Sequence, residues 1–294
     1  MRLGAAELRQ RADASSQLLA PCRLCPRECG VDRLHDRRGA CATGAVPIVA
    51  SWGPHFGEEP VLVGRGGSGT IFFAGCNLDC VYCQNASISQ QVQGGPTTPE
   101  RLAAVMLALQ RNGCVNINLV SPSHVVPAVL RALSLAVADG LSLPLVYNTG
   151  GYDSLETLAL LAGVVDVYMP DMKYAEPAVG LRLSGVPDYP QRNRAAVLEM
   201  HRQVGDLVTD GGIARKGLLV RHLVLPGGLS GTTGVAKFVA EEVSPQTAFN
   251  LMSQYRPCYL ANQYPPLDRR LTAEEWHSAR QITLAAGLTP LRDA

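Results

Sequence analysis

The sequence predicts an α/β fold, a partial (β/α)6 barrel of the TIM type that carries a cysteine-rich N-terminal extension. Three observations predict it. From Gly69 onward, six short apolar runs alternate with stretches of helical period, the pattern of βα units feeding a parallel sheet. The runs show little polar alternation, as strands covered on both faces should. The polar residues that carry chemistry gather where the runs end, on the face where barrels place their active sites.

The first run, GTIFFAG at 69–75, leads into a loop holding Cys76, Cys80 and Cys83. Thr97, Pro99 and Glu100 then open a helix as a capping box with an early proline. The second run is CVNINLV at 114–120, ending at Ser121 and Pro122, and the third is LPLVYNT at 143–149, stopped by Gly150 and Gly151. The helix SLETLALLAG leads to the fourth run, VVDVYMP at 164–170. RNRAAVLEMHRQVGDL is a second helical stretch, before the fifth run GLLVRHLVLPGG at 217–228, and the sixth is TAFNLMSQY at 247–255. Thr272, with Glu275 three residues on, opens a terminal helix. Upstream of the barrel, residues 1 to about 20 read as a short helical or frayed leader, and 21–67 as an irregular, metal-stapled segment rich in Gly, Pro and Cys. The expected organisation is an extension over 1–60, a barrel over 61–260 and a C-terminal helical extension over 261–294.

A length of 294 residues exceeds an ordinary domain but suits one barrel with short additions. The composition, 47% hydrophobic and 17% charged, is that of a globular protein. A net charge of +1 argues for neither nucleic acid nor an anionic membrane as partner. No apolar run reaches the length of a membrane span, and the charged start MRLGAAELRQRADASSQLLA lacks the apolar centre of a signal peptide. The expectation is therefore a cytoplasmic protein. In a reducing compartment clustered thiols are metal ligands or redox groups more often than disulfides. Seven of the nine cysteines fall in two groups, and the other two, Cys114 and Cys258, read as small buried hydrophobes.

In GCNLDCVYCQN three cysteines are spaced C-x3-C-x2-C directly after a strand. A closed structural zinc site takes four ligands, whereas a cubane held by three thiolates keeps one iron free for an exchangeable partner. The alternative is three buried or zinc-binding thiols that are merely neighbours. With Tyr82 before the third cysteine, the loop resembles the motif of the radical S-adenosylmethionine superfamily. That resemblance implies a [4Fe-4S] cluster on Cys76, Cys80 and Cys83, S-adenosylmethionine on the free iron, and Tyr82 near the adenine. The stretches VSPSH, VVDVYMPDMKY, VRHLVLPGG and NLMSQYRP extend the likeness, and together they resemble the subgroup related to pyruvate formate-lyase activating enzymes. By that resemblance Asp171, Lys173 and Arg221 contact the cofactor. Taken on their own chemistry, Lys173 and Arg221 suit a carboxylate, Asp171 suits an ammonium or orients Lys173, and Asn148 suits ribose hydroxyls. Each of these also reads as a surface ion pair or a strand-end polar cap.

The chain departs from the superfamily at the end of its second strand, where Val120, Ser121, Pro122, Ser123 and His124 stand in place of Gly-Gly-Glu. His124 reads as a polar cap or as an acid or base, and Gln254, Tyr255 and Arg256 face the expected cavity without an assigned role. The second group, Cys22, Cys25, Cys29 and Cys41 at C-x2-C-x3-C-x11-C, suits either structural zinc or an auxiliary iron–sulfur cluster. Glu58 and Glu59 have no assigned role. The functional expectation is hydrogen abstraction by a 5′-deoxyadenosyl radical. The substrate is a glycine of a partner glycyl-radical protein, or alternatively a small metabolite or peptide. Flavodoxin or ferredoxin is the electron donor by resemblance. A non-catalytic metal-binding scaffold is the reading from another class.

Overall fold

The computed structural model describes residues 3–291, so the outermost parts of the two expected extensions, 1–2 and 292–294, lie outside the described residues. The chain opens with α1 (Ala5–Ser16), followed by β1 (Ile48–His55), α2 (Pro60–Val63) and β2 (Ser68–Phe73). Next come α3 (Ala86–Ser89), β3 (Gly95–Pro96), α4 (Pro99–Arg111), β4 (Ile117–Val120), α5 (Val126–Ala138), β5 (Leu145–Thr149), α6 (Leu155–Leu161) and β6 (Val167–Pro170). The last part is α7 (Pro177–Ser184), α8 (Tyr189–Val204), β7 (Val208–Asp210), β8 (Ile213–Leu223), α9 (Thr232–Phe238), β9 (Ala248–Met252) and α10 (Ala273–Ala285).

All six predicted runs are strands. They lie parallel and side by side in the order β2-β4-β5-β6-β8-β9. The sheet does not close, because β9 pairs with β8 while β1 and β3 form the opposite margin. The result is the expected partial barrel. Its strands are short and covered on both faces, and Ile71, Leu119, Tyr147, Tyr168 and Leu218 are fully buried under the helices. In the register Asn148 stands opposite Val120, Arg221 stands opposite Asn250, and an isolated bridge joins Asp171 to Arg221. Side chains from the ends of β5, β6 and β8 therefore meet over one end of the sheet.

Three local expectations are corrected. The segment 21–67 is not irregular throughout, since it contributes β1, which pairs antiparallel with β2 and ties the extension to the barrel sheet. Gly53 and Pro54 inside that strand weaken its signal, and proline is tolerated in a strand at a sheet margin. The cap of α4 is Thr98, whose hydroxyl accepts from the Arg101 amide at 3.3 Å, while Thr97 bonds back to Gly95. The fifth run begins at Ile213 and stops at Leu223, because Gly227 and Gly228 both turn with positive φ. Its earlier start forms a hairpin with β7 across Gly211 and Gly212, a pair with φ of 58° and 80° that suits a two-residue turn.

The capping box of α10 stands as predicted. Thr272 accepts from the Glu275 amide at 3.1 Å, and Glu275 accepts from the Thr272 amide at 2.9 Å. Glu275 also accepts from the Gly227 amide at 2.7 Å and from Arg269, which hold its carboxyl below the usual range. A Thr272→Ala protein is expected to lose about 1 kcal/mol. The loss would be read as a lower urea midpoint with an unchanged slope, and an unchanged midpoint would refute it.

Candidate functional site

The cysteine loop leaves β2 through Gly75, whose φ of 82° suits glycine. A Cβ there would meet the Cys41 carbonyl oxygen at 2.5 Å and Thr43 Cγ2 at 2.8 Å, so the extension presses directly on the loop. The Cys76 Sγ accepts from the Leu78 amide at 3.4 Å. The Cys80 Sγ lies 2.9 Å from Ser184 Oγ, and the Cys83 Sγ lies 3.1 Å from Ser89 Oγ. Burial first, and the neighbouring thiols after it, push the Cys76 thiol up to about 12, and burial likewise raises Cys80.

All three thiols line one cavity of about 270 Å³. Its other walls include Tyr82, Asn148, Asp171, Lys173 and Arg221, so the structure brings together every residue expected to hold the cluster or its cofactor. Gln254 shares this lining, whereas Tyr255 is buried behind Tyr82 with its hydroxyl on the Leu267 carbonyl, and Arg256 is exposed. A larger groove of about 550 Å³ runs along β1, β3 and α4, away from the thiols.

Opposite the thiols runs a chain of charges. Lys173 Nζ bonds Asp171 Oδ2 at 2.7 Å, and Arg221 Nε bonds Asp171 Oδ1 at 2.9 Å. Arg221 Nη2 donates to Asn148 Oδ1 at 2.7 Å, and Nη1 lies 3.9 Å from Glu59 Oε1. Burial alone would raise the Asp171 carboxyl, but Arg221 and Lys173 hold it below its ordinary value. Burial alone would lower Lys173, but Asp171 holds its ammonium well above the usual range. Tyr189 braces the chain from behind, donating to the Gly150 and Asp171 carbonyls and accepting from the Lys173 amide. Tyr174 donates to Tyr82 at 2.8 Å and touches Ser184 at 2.7 Å, which links Tyr82 to the Cys80 pocket.

Sequence reasoning missed the acidic floor under this chain. Glu59 is buried, accepts from Asn250 Nδ2 at 3.0 Å and leaves Oε2 without a partner, and burial raises the neighbouring Glu58 carboxyl. The signal was Glu-Glu-Pro at the start of α2, where a surface pair is the ordinary reading.

His124 is a buried polar cap, with Nε2 2.9 Å from the Ala74 carbonyl. Burial, then the charge of Arg33, lowers it to about 4. His222, between the Met172 carbonyl and Thr232 Oγ1, is lowered to about 4 by burial. Both histidines bind protons more weakly folded than unfolded. The stability they contribute is complete above about 6.5, the unfolded value. It falls as the pH drops toward 4, at up to about 1.4 kcal/mol per pH unit for each. Urea midpoints between pH 7 and 5 are expected to show this slope, and a His222→Asn protein to show it reduced. A midpoint flat over that range would refute it. Cys114 is buried as expected, but Cys258 is only half-buried.

Of the second group, Cys22, Cys25 and Cys41 are buried and Cys29 is exposed. Among the described residues no three Cys, His, Asp or Glu side chains converge as ligands of a single metal ion. A cubane spreads its thiolates over separate irons, so three thiols that line a common cavity without meeting at one point fit such a cluster. The charged wall facing them fits a zwitterionic cofactor.

Known proteins resemble this chain in sequence and in fold. The family model described as Radical SAM superfamily matches residues 70–225. The uncharacterized protein MJ0674 of Methanocaldococcus jannaschii is 32% identical over 282 residues, covering 92% of this chain and 77% of that protein. A radical SAM methyltransferase from Sphaerobacter thermophilus superposes with a TM-score of 0.51 at 16% identity, over 76% of this chain and 65% of that one. The structure described as native anSMEcpe with bound AdoMet gives 0.50 at 12% identity, over 79% of this chain and 62% of that one. This chain thus spans less than two thirds of either solved structure, and at such identities the likeness is one of fold. No helix among the described residues is long and apolar enough to cross a membrane.

Proposed function

The chain belongs to the radical SAM superfamily, and from that premise we propose that Cys76, Cys80 and Cys83 hold a [4Fe-4S] cluster that serves reductive cleavage of S-adenosylmethionine. Bound there, such a cluster would pass one electron from a low-potential donor such as a flavodoxin or ferredoxin to the sulfonium, so that a carbon–sulfur bond would break to methionine and a hydrogen-abstracting 5′-deoxyadenosyl radical. The residues of the chain bind and orient. Lys173 offers its ammonium to the methionine carboxylate, and Asp171 steers Lys173 and receives the amino group. Arg221, engaged by Asp171 and Asn148, acts as a positioning residue. Asn148, its Oδ1 already taken by Arg221, keeps its amide N–H groups for the ribose, and the Tyr82 ring lies against the adenine. The observation that carries this reading is the single cavity shared by three thiols and the Lys173–Asp171–Arg221 chain. The same reading keeps the division into 1–60, 61–260 and 261–294.

The first substrate reading is a glycine Cα of a partner protein, supported by the resemblance to activating enzymes. The changed end of the second strand and the cysteine extension favour the other, a small metabolite or a peptide side chain. The test is anaerobic: reconstitute with iron and sulfide, reduce, add S-adenosylmethionine and measure 5′-deoxyadenosine. Its formation is the expected result. A protein shown to carry its cluster that makes none would overturn the assignment in favour of a non-catalytic scaffold. Deuterium passing from a glycine-deuterated protein or peptide into 5′-deoxyadenosine would support the first substrate reading, and its absence would count against it.

A further inference from the structure

We propose that Cys22, Cys25, Cys29 and Cys41 form a second, closed four-thiolate metal centre, back to back with the first cysteine loop and charge-balanced by the buried Arg33. This inference does not rest on radical chemistry at the first loop.

The backbone folds the four cysteines into one neighbourhood, although no three of their thiols meet at a single point among the described residues. The Cys22 amide donates to Val31 O at 2.9 Å and the Gly30 amide to Cys22 O at 3.0 Å, which folds Cys29 back under Cys22. The Glu28 amide donates to Cys25 O at 3.0 Å and closes the turn between them. The returning segment packs against the group, because a Cβ built on Gly39 would clash with Cys29 Sγ. Cys41 Sγ follows, 3.3 Å from Thr43 Oγ1. Two non-glycine residues beside these cysteines, Glu28 and Ala42, hold positive φ of 40° and 58°. Such conformations persist where the surroundings over-determine them.

Arg33 is the second and independent observation. It is among the largest fully buried side chains. Its Nη2 donates to Thr43 Oγ1 at 3.1 Å and to Gly44 O at 2.6 Å, and among the described residues its Nε has no hydrogen-bond partner. It stands against Cys22, and among the described residues no carboxylate pairs with it. A buried guanidinium needs a counter-charge. Among the described residues the Cys22 thiol is the acidic group that stands against it, and metal-bound thiolates carry that charge. A four-thiolate zinc site and a cubane on four thiolates are both anionic overall, so either satisfies Arg33.

The group also grips the first loop. Arg27, between Cys25 and Cys29, donates Nε to Asn77 O at 2.8 Å, Nη1 to Gly185 O at 2.9 Å and Nη2 to Ser184 O at 3.3 Å. Asn77 follows Cys76 directly, and Ser184 carries the hydroxyl that faces Cys80. A metal holding Cys25 and Cys29 would fix Arg27 between them and, through it, the backbone of the cluster loop.

The experiment is metal and acid-labile sulfide analysis of a C76A/C80A/C83A protein prepared anaerobically with iron, sulfide and zinc. The expected result is a retained centre in a protein whose circular dichroism matches the parent. About one zinc per chain without sulfide identifies a zinc site, and iron with matching sulfide identifies a cluster. Neither metal would overturn the proposal. Should this variant not fold, the parent protein decides. Zinc, or iron beyond the roughly four atoms of one cubane, supports a second centre, and four irons alone refute it. Replacing Arg33 by Met is expected to weaken metal retention against a chelator by at least tenfold, with Arg33→Lys intermediate. Equal retention in all three proteins would overturn the charge-balancing role.

Discussion

A Cys80→Ala protein is expected to lose 5′-deoxyadenosine formation by about three orders of magnitude or more. Outer-shell changes around a metal already cost about 10–100-fold, and removing a ligand outright costs more. The Cys80 thiol is buried with its Sγ 2.9 Å from the Ser184 hydroxyl, and Cys76 and Cys83 are already assigned to the same cluster. Iron content and the sulfur-to-iron absorption should fall with the activity. A Ser184→Ala protein is the internal comparison, because it removes a contact of the sulfur but leaves the sulfur. It should retain its iron. Full activity in Cys80→Ala would remove Cys80 from the ligand set.

Asp171→Asn is the second large effect. Among the described residues Asp171 is the only carboxylate bonded to both Lys173 and Arg221, and all three side chains are less than a fifth exposed. Breaking such a pair from one side leaves cations without their partner and costs about 3 kcal/mol. Affinity for S-adenosylmethionine, read by equilibrium dialysis, is expected to fall about 100-fold, which corresponds to about 2.7 kcal/mol. The stability loss carries its own pH signature. The Asp171 carboxyl is held below its ordinary value, so its contribution is complete above the unfolded value of about 3.9 and is lost as the pH falls through the lower folded value. The parent and Asp171→Asn proteins should therefore differ in urea midpoint at pH 7 and converge in acid. A gap that stays constant down to pH 3 would show that the carboxylate charge is not what stabilises the chain.

The parallel strands were legible because each is a short apolar run between turn residues, and their order follows from successive crossovers. The cysteine loop was legible from spacing alone. What escaped notice depends on tertiary placement. β1 is broken by Gly53 and Pro54, and its partner β2 is what makes it a strand. Glu58 and Glu59 look like a solvated pair until α2 packs near β8 and turns them under Arg221. Arg33 reads as one of several surface arginines in DRLHDRRG, and only the folded chain buries it. In each case the decisive neighbour is ten or more residues away in sequence, out of reach of local periodicity. The hairpin at Gly211–Gly212 was different, because its Asp-Gly-Gly signal was local and was passed over.

The Arg27 clamp has a consequence for how the protein is made. Arg27 and its acceptor on Gly185 are 158 residues apart in sequence, and the Asp171–Arg221 contact waits for residues later still. A chain emerging from the ribosome exposes all seven clustered cysteines by residue 83, long before these contacts can form. Contacts of such sequence separation form late. During that interval the thiols belong to a nascent, flexible segment open to oxidation and to stray metals. Loading of the proposed centres would then belong to the finished chain, and expression that outpaces folding is where mis-metallated protein would arise.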